Sequence, residues 1–189
     1  MRRVFFALVL AALVCSPVFG ASPTEMARMG TFISNFTEAE LYDIDIDTIS
    51  MEELVHFGVR HNYINNRKSR IKRCPKKNCP YGDLIIDKKY VAESVKKYFA
   101  IELEHTSTED EHYDGKVYHF PSTDGVPNYA DVYEVSRKGS TITMRGELYS
   151  AGVDEERVAS FVATAQPYKF NGKNTWSILT LKTQWYNND

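Results

Sequence analysis

Cysteine is scarce in this chain: three in 189 residues, and only Cys74 and Cys79 beyond the first twenty. With no second pair of cysteines, a four-cysteine zinc site is excluded. No run after residue 20 is apolar enough to cross a bilayer, which takes about 20 consecutive apolar residues. Nucleophile and phosphate signatures are missing too. There is no Gly-x-Ser-x-Gly, no glycine-rich phosphate loop and no His-Glu-x-x-His helix. These absences remove the serine-hydrolase elbow, the nucleotide cradle and the metalloprotease helix. They leave open a pair of glycosidase carboxylates, which have no fixed local spacing.

What is present begins with an export signal. Arg2 and Arg3 precede the apolar run Val4–Val14, followed by Ser16, Pro17, Val18, Phe19 and Gly20. A basic head, a short apolar middle and small residues at a cut site make a secretory signal peptide. Val18 and Gly20 place the cut before Ala21, so residues 1–20 are signal and residues 21–189 a single domain. The chain is expected outside the cytoplasm: periplasmic, extracellular or on the cell surface. Cys15 offers lipid anchoring as the alternative, although Ala12, Leu13 and Val14 are a poor lead-in for it. Cleavage takes the formal charge from −2 to about −4, because two arginines leave and no acid does. An exported, net acidic chain makes nucleic acid an unexpected partner.

The signals of secondary structure divide near residue 104. Residues 21–36 carry Met26, Met29, Phe32, Ile33 and Phe36, a scatter suited to a first helix. Thr37 with Glu40 and Ser50 with Glu53 match the capping-box pattern, the first opening a short turn and the second a helix to about Ile64. That helix would present Leu54, Val55, Phe57, Gly58, His61 and Ile64 on one broad face. Asp87 caps a third helix, in which Val91, Val95, Tyr98 and Phe99 recur at helical spacing. Hairpin chemistry follows. Asp114-Gly115, Lys138-Gly139-Ser140 and Asn171-Gly172 separate strand-like runs, and Asn-Gly and Asp-Gly tolerate the positive φ of tight turns. Ile142, Met144, Gly146 and Leu148 alternate with Thr143, Arg145, Glu147 and Tyr149. The expected fold is α+β: a helical part over 21–104 packed on a curved antiparallel meander over 105–189. By analogy, cystatin-like or nuclear-transport-factor-like domains share that plan.

Several stretches carry a resemblance: Phe32-Ile-Ser-Asn-Phe-Thr-Glu38, His61-Asn-Tyr-Ile-Asn-Asn66, Tyr90–Phe99, Gly146-Glu-Leu-Tyr-Ser150 and Tyr168–Trp176. Together they resemble uncharacterised exported domains of anaerobic, often gut-dwelling bacteria, over most of the mature chain. The resemblance implies export. It brings no known reaction, so no catalytic residue carries over.

Four constellations are candidates for chemistry. Cys74 and Cys79, in an exported chain, read first as a disulfide closing a short loop, with a metal site or a redox pair as the alternatives. Arg67, Lys68, Arg70, Lys72, Arg73, Lys76 and Lys77 fall within eleven residues that hold no acid. That run suits docking to an anionic envelope or host polymer, or else a solvated helix end paired with the acids at 109–111. Asp110, His112 and His119 would share one face of a hairpin turning at Asp114-Gly115, with Asp110 opposite His119, and could hold a metal. His56 and His61, near a helix core face, read as filling space or capping a hydrogen bond. Asp43, Asp45 and Asp47 open like a calcium loop, but Thr48 and Leu54 stand where glycine and glutamate are needed. Among the aromatics, Tyr149, Tyr168 and Trp185 are candidates for stacking on a sugar or peptide.

The sequence therefore leads to a non-enzymatic exported binding module needing no cofactor. The partner would be an anionic envelope polymer or an exported protein. The alternatives are an inhibitor of an envelope hydrolase, or a metal-dependent hydrolase built on Asp110, His112 and His119.

Overall fold

The computed structural model describes residues 20–123, 127–152 and 155–186. The signal segment, apart from Gly20, lies outside them, as does Cys15. Helix starts follow the capping chemistry. Ser22 accepts the Glu25 amide at 3.2 Å, and Pro23 opens α1 (Pro23–Thr37). Ser50 and Glu53 form the reciprocal capping box of α2 (Met51–Arg70). Asp87 accepts the Lys89 amide at 2.9 Å and caps α3 (Lys88–Phe99). Caps of this kind contribute about 1 kcal/mol each. Among the described residues, no helix is long and apolar enough to cross a membrane.

Strands β6 (Asn128–Lys138), β7 (Thr141–Ser150), β8 (Arg157–Phe170) and β9 (Lys173–Trp185) form an antiparallel meander. A short β1 (Ile44–Asp45) extends it, giving the order β1-β9-β8-β7-β6. Asn171 and Gly172 sit at φ 46° and 78°, the left-handed pair that a tight hairpin turn requires. The expected alternation holds: Ile142, Met144 and Leu148 are buried, facing Ala159, Phe161, Ala163 and Ala165 of β8. Those alanines leave depth for the helix aromatics. The Phe57 ring lies 4.9 Å from Phe99 and 5.3 Å from Phe36. Helix α1 also shields the β6 edge. Ser34 Oγ accepts the Ala130 amide at 2.9 Å, and Thr37 Oγ1 donates to the Asn128 carbonyl at 2.6 Å. Strand groups left unpaired at a sheet edge are thus satisfied by a helix. Gly30 permits the approach, because a Cβ there would stand 2.7 Å from the Ala130 carbonyl oxygen.

The α+β class is as expected, but the division into helices first and strands second is not. A second antiparallel sheet, ordered β2-β3-β5-β4, joins β2 (Ile71–Arg73), β3 (Leu84–Asp87), β4 (His112–Tyr113) and β5 (Val117–Phe120). Two of these strands and β1 fall inside residues 21–104. The cause lies in α2, which is apolar on two faces rather than one. Leu54 and Phe57 enter the core of the large sheet, while Val55, Val59 and Tyr63 pack with Leu84, Ile86, Val91, Tyr118 and Phe120 in a second core. A helix buried on both sides needs a layer on each. Ile64, read as inward-facing, is 37% exposed. The helix continues to Arg70 across a break at Asn66.

Candidate metal centre

The β4–β5 hairpin is organised by one carboxylate. Asp114 Oδ1 accepts the amides of Lys116 and Val117, both at 2.9 Å. The connection runs from Asp114 to Val117, two residues longer than the Asp114-Gly115 turn expected, and it pairs Tyr113 with Tyr118. That shift changes the register. His112 stands directly opposite His119, and the expected pairing of Asp110 with His119 does not form.

The other oxygen of the same carboxylate, Oδ2, accepts from His119 Nε2 at 3.0 Å. A proton fixed on Nε2 leaves Nδ1 of the neutral ring with its lone pair exposed. That nitrogen faces two sulfurs, Cys79 Sγ at 3.2 Å and Cys74 Sγ at 3.8 Å. All three donor atoms lie within 4.8 Å of one another. Local structure brings them there. Ile85 pairs with His119 across β3 and β5, and the Cys74 amide donates to the Asp83 carbonyl at 2.8 Å just beyond β2. Asn78, at φ 57°, turns the intervening loop. Both cysteines are free thiols in the structure. The disulfide expected from sequence is not formed, and the loop instead directs both sulfurs at one imidazole.

The spacing would accommodate a shared ion. A tetrahedral zinc with its ordinary Zn–S and Zn–N bonds separates sulfur from nitrogen by about 3.5 Å. The two observed distances straddle that value. One lone pair can accept one S–H, and a cation shared by the three atoms would engage both sulfurs. The Asp114–His119 bond is the outer-shell partner that metal-ligating histidines carry. Hydrogen bonds from the Val117 amide, His119 and the Lys116 amide, in that order, hold the Asp114 carboxyl well below the usual carboxylate range. The neighbouring Cys74 sulfur pushes the Cys79 thiol up.

Other candidates from the sequence take different places. Among the described residues, Asp110 and His112 do not join the cluster. The His112 ring stacks on Tyr81 with centroids 3.6 Å apart, beside a groove of about 310 Å³ that Glu109, Asp110 and Pro121 also line. The basic run is spread over a helix end, a strand and a loop. Arg67 lies 4.8 Å over the Tyr63 ring and Arg70 4.7 Å over Tyr90. Lys68, Lys72, Arg73, Lys76 and Lys77 are exposed. Among the described residues, no acid at 109–111 pairs with them: Glu111 bonds His56 instead, at 2.9 Å. Asp43 and Asp45 serve structure, Asp43 accepting the Thr183 amide and Asp45 the Asp47 amide.

Sequence reasoning missed one polar knot altogether. Glu111 is 2% exposed and binds His56 on one oxygen and the Thr108 hydroxyl on the other. Buried Arg60 reaches Glu40 at 3.3 Å and Thr123. With Phe120 and Pro121 these groups line a cavity of about 110 Å³. The Glu111 bond raises the His56 pKa against the opposing effect of burial. Partners 55 and 63 residues apart leave no local pattern to find.

No family model, curated protein or solved structure matches the chain. Its functional reading therefore rests on the residues themselves.

Proposed function

We propose that this chain is an exported binding module whose working centre is a soft divalent metal ion, zinc foremost, held by Cys74, Cys79 and His119. The observation that carries the reading is the convergence of two sulfurs on one imidazole nitrogen whose partner nitrogen is tied to a carboxylate. Sulfur and imidazole donors select zinc over calcium or magnesium, which take oxygen. Three protein ligands leave a fourth position for water or a ligand atom. Export is supported by the composition of residues 1–20 and accords with a module that works in the envelope. Docking to an anionic polymer is a second reading, supported by the exposed part of the basic run at Lys68, Lys72, Arg73, Lys76 and Lys77.

The test is zinc binding by the reduced chain, purified without chelators and titrated against a competing zinc indicator. One zinc per chain is expected. Cys79→Ser and His119→Ala should abolish tight binding, and Asp114→Asn should weaken it about 10- to 100-fold. Elemental analysis finding no zinc on the reduced chain overturns the reading. So does native exported protein in which neither cysteine reacts with a thiol reagent until reduced, which would restore the disulfide.

A further inference from the structure

A cleft of about 320 Å³ lies where α2 and α3 meet the β8–β9 turn. Three cations reach it from three different elements: Arg70 from α2, Lys97 from α3 and Lys173 from β9. A single carboxylate, Glu93, lines it with them and sits 3.2 Å from Arg70. The formal charge of the cleft is therefore +2, on a protein whose net charge is negative.

Two of the cations are held in place. Arg70 stacks over Tyr90 and donates to Asn62 Oδ1 at 3.1 Å. The Asn62 amide is itself fixed by the Tyr90 carbonyl at 3.1 Å and Ser94 Oγ at 2.9 Å. Lys97 Nζ donates to the Tyr98 hydroxyl at 3.0 Å, and the Tyr98 ring packs edge-on to His61 with centroids 4.8 Å apart.

His61 is the odd member of this wall. It is 4% exposed and lines the cleft, yet no carboxylate bonds it. Asn65 Nδ2 lies 3.3 Å from its Nδ1 and also donates to Glu38 Oε2 at 3.1 Å. With Nδ1 accepting from that amide, the ring proton sits on Nε2, which has no protein acceptor among the described residues. Burial first, then Lys97 and Arg70, push the pKa of His61 down to about 3. The ring is a neutral donor at pH 7 in a cationic surround. That nitrogen keeps access to the cleft and is not among the fully buried unpaired atoms, so an incoming oxyanion would take the place of water on it.

We propose that this cleft binds the phosphate group of a small phosphorylated ligand, with Arg70, Lys97 and Lys173 balancing its charge and His61 Nε2–H donating to one oxygen. A phosphate carries close to −2 at neutral pH and three strong acceptor oxygens. That charge matches the excess of the cleft. The guanidinium fork of Arg70 suits a phosphate's planar face of oxygens. The volume falls at the small end of ligand sites, and Phe170 gives the remainder of the ligand an apolar wall. This site is separate from the cysteine–histidine cluster and does not depend on it.

The experiment follows the His61 imidazole by NMR in the full mature chain, titrated with inorganic phosphate and with glucose 6-phosphate. A saturable shift of the His61 resonances is expected, with a rise in its pKa because a dianion replaces an uncompensated cationic field. The groups facing His61 in that titration are Arg70, Glu93, Lys97, Lys173 and, through Asn65, Glu38. Lys97→Gln with Lys173→Gln should weaken binding roughly tenfold or more, with the amide spectrum of the rest of the chain unchanged. Whichever probe binds more tightly identifies the source, free phosphate or phosphate ester. No saturable shift with either probe overturns the proposal. Equal affinity in the double variant, or equal binding of unphosphorylated glucose, does so too.

Discussion

The large sheet buries one face completely, with Met144, Leu148, Ala163 and Leu181 all at 0% exposure. The small sheet has strands of two to four residues and packs titratable groups against one another, with Glu111 at 2% and His119 at 7%. Both sheets are antiparallel and both rest on α2. One is a scaffold held by apolar area. The other has enough apolar contact to fold on its neighbour and uses the rest of its surface to place donors and acceptors. Helix α2 is where the two meet, through Phe57 on the large-sheet side and Val55 with Val59 on the small-sheet side.

The largest effect should come from cutting that joint. Phe57 is 0% exposed within the aromatic cluster, so Phe57→Ala should lose about 3–5 kcal/mol. Both tryptophans, Trp176 and Trp185, lie in β9, so their fluorescence reports the large sheet alone, while the NMR signals of His112 and His119 report the small one. Urea unfolding followed by both probes should give coincident midpoints, and Phe57→Ala should move them together. Midpoints that separate would mean that the small sheet unfolds as an independent unit.

Two histidines five residues apart on α2 give the two faces opposite pH dependence. His56 faces the small sheet, and its pKa is raised above the ordinary 6.5 by the bond to Glu111. Its stabilising contribution is complete below 6.5 and is lost as pH climbs through the raised folded value. His61 faces the large sheet, and burial holds it near 3. Below 6.5 the unfolded chain takes up a proton that the folded ring refuses down to about 3, so its contribution falls as pH drops. Stability measured by urea across about pH 4 to 9 should decline at both ends. His56→Gln should flatten the alkaline limb and His61→Gln the acid limb. A variant that flattened the wrong limb would reverse the assignment of the two faces.

Legibility in the sequence follows the same division. The large sheet could be read because its signals are local: alternation along Ile142–Leu148, Asn171-Gly172 between two long runs, and caps at Ser50 and Asp87. The small sheet could not. A two-residue strand such as His112–Tyr113 has no period to detect, and its register depends on an Asp114 side chain that lengthens the turn by two residues. Sequence reading therefore grouped His119 with Asp110 and His112, whereas the fold sets it beside Cys74 and Cys79, which read first as a disulfide. The signal available was chemical rather than periodic. Two cysteines, a histidine and an aspartate five residues before it, at Asp114 and His119, form a donor set with a plausible outer shell, but only the fold brings it together. Arg60 and Glu111 gave no signal at all, since their partners, Glu40 in the turn after α1 and His56 on α2, lie far away in sequence.

The smallest effect is expected where the basic run is least involved in structure. Lys76 and Lys77 are exposed in the cysteine loop, so Lys76→Glu with Lys77→Glu should change stability by no more than about 0.5 kcal/mol. Arg70→Glu differs in kind. It removes a guanidinium stacked 4.7 Å over Tyr90 and sets a carboxylate beside Glu93. The loss should exceed the ~0.5–1 kcal/mol of an exposed cation–π contact. Retention on a polyanion resin at low salt then separates charge used for docking from charge used for folding. If the exposed lysines dock a polymer, their reversal should shorten retention while leaving the urea midpoint in place, and added salt should erase the difference. Unchanged retention in the lysine variant would mean that the run serves the fold through Arg67 and Arg70, and that its remaining cations are a solvated surface.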